Sequence, residues 1–169
     1  MAGETMPDGT PVRWLTEEQQ RSWRAYRDGT ARLLEVLARE LEDDAQLSSG
    51  EYEVLVRLSE APGRTMRMSE IAHEVAHSRS RLTHTISRME RADLVRRSAC
   101  ETDARGVDCT MTEHGWDVLV TAAPGHVHAV RDNFVDLLTD EQLSALGDAM
   151  AVVAQALAPA ARQPVPAGG

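Results

Sequence analysis

His73-Glu74-Val75-Ala76-His77 has the spacing of a zinc-protease helix, where two histidines one turn apart hold the metal and the glutamate between them activates water. That chemistry needs a helix running through both histidines and a third ligand. Ser78-Arg79-Ser80 follows His77 directly, and no downstream His or Glu stands in a fitting context. A zinc metalloprotease is therefore the remote alternative. His126 and His128, with His114, invite a regulatory metal site, yet residues two apart on a helix point about 160° from each other. Partly exposed helix histidines are the simpler reading. No Gly-x-Ser-x-Gly elbow frames a nucleophile, and no glycine-rich loop is present to cradle a phosphate. The expectation is a protein with no catalytic residues, no metal and no cofactor.

Arginine carries the other chemistry. All 18 basic residues are arginine, in a chain of net charge −9. Residues 64–105 hold nine arginines against six acids, a balance of +3, and the remaining nine arginines face 21 acids, a balance of −12. A basic island in an acidic chain suits local phosphate contact, while a nucleic-acid coat over the whole surface is disfavoured. Within the island, a helix is expected from about Ser80 to Ala92. Leu82, Ile86 and Met89 share one stripe at 100° per residue; Ser80, His84, Ser87, Arg88 and Arg91 occupy the opposite face, with Arg79 and Arg81 at the N-terminal end. Such a face can donate to base edges, arginine to guanine O6 and N7 as a bidentate pair. A merely solvated helix face is the competing reading.

Cys100 and Cys109 flank a polar segment, Glu101 to Gly106, between two short strands expected at Leu94–Cys100 and Val107–Thr112. The two cysteines are symmetric about residues 103 and 106. In a regular hairpin they would face each other with Cα atoms about 4.5–5.5 Å apart, within disulfide range, so that oxidation would retune the hairpin. Two reduced thiols, one or both packed beneath it, is the favoured reading. At the tip, Arg105 beside Gly106 can enter a narrow minor groove, with Asp103 orienting its guanidinium.

The elements that position these groups are mostly helical. Thr16-Glu17-Glu18-Gln19 has capping-box form and opens an amphipathic stretch to about Asp44, about 28 residues or ~42 Å. That is long for a compact monomer and suggests packing on another chain. Ser48-Ser49-Gly50-Glu51 opens a short helix that Ala61-Pro62-Gly63 stops, and Met66 to Ala76 reads as the next. Asp93 stands past the end of the basic helix, where a left-handed residue often closes one. Thr112 caps a helix to about Leu137, with a kink or break expected at Ala123-Pro124-Gly125, and Thr139 to Gln142 caps a last helix to about Leu157. The order short helix, turn, helix, hairpin is that of a winged helix-turn-helix. The fold class is mainly α with a small β-hairpin wing. Its expected regions are a flexible N-terminus (1–15), a long N-terminal helix (16–47), a winged helix-turn-helix DNA-binding domain (48–112), C-terminal helices (113–158) and a disordered tail (159–169).

At 169 residues and 42% hydrophobic, the chain is ordinary globular material. With six aromatic residues, its core must be mainly Leu, Val, Ala and Met; Trp23, Tyr26 and Tyr52 are accounted for by packing as well as by an effector pocket. No apolar run approaches the roughly 20 residues that span a bilayer, and Met1 to Pro11 lacks an apolar signal region, so a cytoplasmic protein is expected.

Arg67-Met68-Ser69-Glu70-Ile71-Ala72, Ser78 to His84, Arg88 to Arg97, Asp103-Ala104-Arg105-Gly106 and Met111-Thr112-Glu113-His114-Gly115 together resemble MarR-type regulators, over about Thr16 to Leu157. The Asp-x-Arg-Gly wing followed by a Thr-Glu-x-Gly helix start is the most specific part. The resemblance implies a homodimer with interlocking first and last helices, which binds a pseudo-palindromic operator, mostly as a repressor, and releases it on binding a small-molecule effector. Ser78, Thr83 and Arg97 complete the candidate DNA-contact set of Arg79, Ser80, Arg81, His84, Ser87, Arg88, Asp103 and Arg105. The alternative function is a winged-helix interaction or structural module without specific DNA binding.

Overall fold

The computed structural model describes residues 5–75, 79–100 and 106–157, with the backbone alone at Arg79 and Ser80. Its helices are α1 (Glu17–Ala45), α2 (Ser49–Glu60), α3 (Met68–Glu74), α4 (Arg79–Arg91), α5 (Glu113–Asn133) and α6 (Asp140–Leu157); its strands are β1 (Thr65–Arg67), β2 (Val95–Ala99) and β3 (Val107–Met111). Two compact units divide the chain at Ala129 and Val130.

All three expected capping boxes form. Thr16 Oγ1 accepts from the Gln19 N–H at 3.1 Å while Gln19 Oε1 accepts from the Thr16 N–H at 2.9 Å. Ser48 with Glu51, and Thr139 with Gln142, repeat the exchange. Each satisfies donors that a helix start leaves unpaired. At its far end α1 closes on Gln46, left-handed at φ 55°, whose N–H returns to the Glu42 carbonyl.

In the first unit the core lies where α2, α3, α4 and the sheet meet. Val54, Leu55, Leu58, Ile71, Leu82, Ile86, Met89 and Cys109 are fully buried, with Leu94, Val95 and Met111 beneath the strands. Of the 29 residues of α1, Leu41 alone is buried. The second unit contains the end of α5, the 3-10 turn Val135–Leu137 and α6, which has no buried residue.

The sheet has three antiparallel strands in the order β1-β3-β2, one more than a hairpin supplies. Residues 65–67, of which Met66 and Arg67 were expected to start a helix, pair with β3 instead, with Thr65 opposite Thr110 and their hydroxyls 2.9 Å apart. Gly63 and Arg64, both left-handed at φ 61° and 53°, turn the chain into β1. The strained arginine is held from two sides: its guanidinium lies 4.0 Å from the Trp116 ring centroid and 3.3 Å from Glu113 Oε1. Consequently α3 begins at Met68, not Met66, and ends at Glu74.

Two other expectations are corrected. The helix after Thr112 is not broken at Pro124: α5 runs unbroken from Glu113 to Asn133 and a separate 3-10 turn follows. Proline removes one ladder hydrogen bond, to the carbonyl of Val120, a residue on the exposed side where water can serve the acceptor. Cys100 and Cys109 do not face each other. The β2–β3 register sets Cys109 opposite Arg97, and the Cys100 N–H donates to the Gly106 carbonyl, so the pairing is centred on residue 103. That offset of three residues puts the two thiols on opposite faces of the sheet. Cys109 is buried, and burial pushes its thiol up to about 12, while Cys100 Sγ accepts from Arg67 Nη2 at 3.4 Å. The disulfide route to redox control is thereby removed.

The junction of β2, β3 and α5 needs a glycine. A Cβ on Gly115 would stand 2.1 Å from the Leu94 carbonyl oxygen. Thr112 fixes that approach: its hydroxyl accepts from the Gly115 N–H at 2.9 Å and lies 2.5 Å from the Asp93 carbonyl. Asp93 is left-handed at φ 55°, as its place at a helix end predicts.

Candidate nucleic-acid interface

α4 divides as its sequence implies. Leu82, Ile86 and Met89 are buried, with exposures of 1% or less, while Arg81, Thr83, His84, Arg88 and Arg91 are exposed. The buried stripe seats the helix on α2, α3 and β2 and leaves its other side outward. Ser78, Asp103 and Arg105 lie outside the described residues, as does His77, and Arg79 and Ser80 are placed by backbone at the start of α4.

Ser87, Arg88 and Arg97 belong to the protein's own bracing. Arg88 Nε donates to Glu51 Oε1 at 2.6 Å and its Nη2 to Ser48 Oγ at 2.7 Å, both on the N-terminal turn of α2. Arg97 reaches from β2 to α4: its N–H donates to Glu90 Oε1 at 3.0 Å, its Nε to Glu90 Oε2 at 2.8 Å, and its Nη2 to Glu90 and to Ser87 Oγ. Both carboxylates titrate below the ordinary range. Burial works to raise Glu51, but the Ser48 N–H, Arg88 and the Ser48 hydroxyl outweigh it. The hydrogen bond from Arg97 is the largest influence on Glu90. With Arg64 on Glu113, island arginines thus pair with acids inside and outside residues 64–105: Glu90 lies within that stretch, Glu51 and Glu113 beyond it. Sequence reasoning had read Glu51 as a local cap only; its second oxygen is what it missed.

The histidines separate. His73 is exposed in the last turn of α3, which ends before His77. His126 packs against Tyr52 with centroids 4.5 Å apart and the rings inclined at 51°, and its buried Nδ1 has no hydrogen-bond partner among the described residues. His114 and His128 are exposed. Among the described residues no group of three His, Cys, Asp or Glu is placed to hold a metal ion. Trp23 and Tyr26 lie 6.0 Å apart on an exposed part of α1. No helix among the described residues is long and apolar enough to cross a membrane.

The model of the MarR family matches residues 47–107, the stretch from α2 into β3. Sco3205, a MarR family transcriptional regulator from Streptomyces coelicolor solved in complex with DNA, is 43% identical, with a TM-score of 0.85 over 89% of this chain and 94% of that one. AbsC, a MarR family transcriptional regulator from the same organism, is also 43% identical, with a TM-score of 0.82 over 86% of this chain and 98% of its own. The fold extends to Bordetella bronchiseptica BpsR, whose DNA binding is regulated by 6-hydroxynicotinic acid, at 16% identity, a TM-score of 0.69 and coverage of 79% and 98%. Comparison with curated protein sequences finds no match.

Proposed function

Because this chain belongs to the MarR family of transcriptional regulators, we propose that it is a homodimeric repressor that reads a pseudo-palindromic operator with α4 and leaves it when a small molecule binds. Family members are transcriptional regulators, not enzymes. The observation that carries the DNA reading is α4 itself: its apolar stripe is spent entirely on the core, which leaves Arg81, Thr83 and His84 outward on a rigid support. Arg81 is the base-reading arginine of this proposal, with Ser78, Arg79 and Ser80 beside it and Asp103 and Arg105 on the wing. Ser87, Arg88 and Arg97 are left out, since their bonds brace α4 against α2 and β2.

The dimer is proposed from α1 and α6, whose large apolar residues stand exposed in a single chain: Trp23, Tyr26 and Leu34 on one, Val152, Val153 and Leu157 on the other. Regions 16–47 and 113–158 are the dimerisation regions and 48–112 the DNA-binding domain. A two-fold axis would set the recognition helices one DNA turn apart, ~34 Å, over half-sites ~10 bp apart. The effector response is proposed from the family resemblance and by analogy with BpsR, whose DNA binding 6-hydroxynicotinic acid regulates.

The test is operator binding. Arg81→Ala is expected to cost about 1–3 kcal/mol against the preferred duplex and to relax specificity at one base pair. Unchanged affinity and salt slope in an Arg79/Arg81/Arg105 triple alanine variant would favour the second reading, a structural or interaction module.

A further inference from the structure

Glu51 is the one charged side chain buried with the core among the described residues. Its two oxygens do different work. Oε2 accepts the Ser48 N–H at 2.9 Å and the Ser48 hydroxyl at 2.8 Å, which closes the cap of α2. Oε1 is not needed by the cap, and it takes Arg88 Nε at 2.6 Å while Arg88 Nη2 bonds Ser48 Oγ. Ser48 comes two residues after the left-handed Gln46 that ends α1 and one after the buried Leu47. The pair therefore ties the recognition helix to the place where α1 hands the chain to α2.

Position along α4 gives this tie its leverage. Arg81 and Arg88 are seven residues apart, so they lie about 20° apart around the helix and ~10 Å apart along it. One line of the helix thus has an outward-facing arginine near its N-terminal end and an anchored one two turns on. A tilt of ~10° about the anchor would move Arg81 by ~2 Å, more than a hydrogen bond to a base edge tolerates. Glu90, about 160° around the helix from Arg88, is held by Arg97 of β2, so α4 is braced on both flanks.

We propose that Glu51 and Arg88 are positioning residues for DNA binding: the pair sets the pitch of α4 on the α1–α2 junction, and Arg88 does not itself touch DNA. The inference rests on the DNA-binding reading above. Glu51→Gln is the incisive variant. A glutamine keeps the cap through its amide oxygen but turns an N–H2 group towards the Arg88 donors.

The experiment uses the full chain and a duplex that the wild type selects from a random-sequence pool. Affinity is measured by fluorescence anisotropy across a salt series, for wild type, Glu51→Gln, Arg88→Ala and the double variant. The temperature is one at which circular dichroism shows all four folded. Each single variant is expected to bind roughly five- to twentyfold more weakly with the wild-type salt slope. Each should also tolerate half-sites moved by one base pair, and the double variant should be no weaker than Arg88→Ala alone. A slope lowered by about 1 in Arg88→Ala would overturn the proposal by making Arg88 a phosphate contact. Equal affinities in the folded variants, with only the melting temperature reduced, would make the pair purely structural and overturn it too, as would additive losses. If the wild type selects no duplex, the DNA-binding reading falls and this inference falls with it.

Discussion

α4 and α6 are both helices with apolar residues at helical spacing, yet they end in opposite conditions. α4 has 13 residues and sends Leu82, Ile86 and Met89 wholly into the core. α6 has 18, among them Val152, Val153 and Leu157, and buries none; Leu157 is 76% exposed. The difference is one of completeness. The winged-helix region closes its core with residues of a single chain, whereas α6 and most of α1 carry apolar side chains that the described residues leave exposed.

The sharpest way to test that contrast is to remove volume from the completed side. Ile86→Ala should destabilise the fold by about 2–5 kcal/mol, read as a shift in urea midpoint, because the site is fully buried and closely packed. A loss below about 1 kcal/mol would mean that the core is looser than its burial implies. Gly115→Ala comes next. Its Cβ meets a backbone carbonyl, not a flexible side chain, so α5 must shift, at a cost of about 1–3 kcal/mol. An unchanged midpoint would show that the approach of α5 to Leu94 is soft.

On the uncovered side the expectation reverses. Trp23→Glu or Val153→Glu should leave the folding of the winged-helix region within about 0.5 kcal/mol, since the side chains are 53% and 45% exposed. Both should move the light-scattering mass towards the 18.6 kDa of one chain. A wild type already at that mass would remove the contrast altogether.

These predictions draw on what the sequence made legible and on what it did not. Helices and caps were legible because their signals are local: a hydroxyl, then Glu or Gln three residues later, at Thr16, Ser48 and Thr139. The stripe of α4 was legible for the same reason. β1 was not, since three residues show no period and its partner strand begins 42 residues later. The cysteine register failed because symmetry about an assumed tip does not fix where pairing is centred. The candidate DNA face was half legible. Which residues point outward follows from the helix period, but which arginines are already committed depends on Glu51, 37 residues from Arg88, and on Glu113, 49 residues from Arg64.

The smallest expected effect lies at His126. Burial lowers its titration below the ordinary histidine range, against the pull of Glu40 and Glu53. With the folded value depressed, the unfolded chain takes the proton first as pH falls. Stability is therefore fully present above the ordinary histidine value and is lost as pH falls from there through the lowered one. His126→Phe, which keeps a ring against Tyr52, should flatten the difference in urea midpoint between pH 7.5 and 5.5. An equal dependence in both proteins would assign it to other groups.

Arg64, held over Trp116, also decides what light can report about this molecule. The other two tryptophans, Trp14 and Trp23, are largely exposed within one chain, so in a monomer their emission should change little on denaturation. Trp116 packs against the core beneath a guanidinium 4.0 Å from its ring. A chain carrying Trp14→Phe and Trp23→Phe would hold a single fluorophore at the seam between β1 and α5, a built-in optical gauge of the winged-helix region that is blind to the rest of the chain.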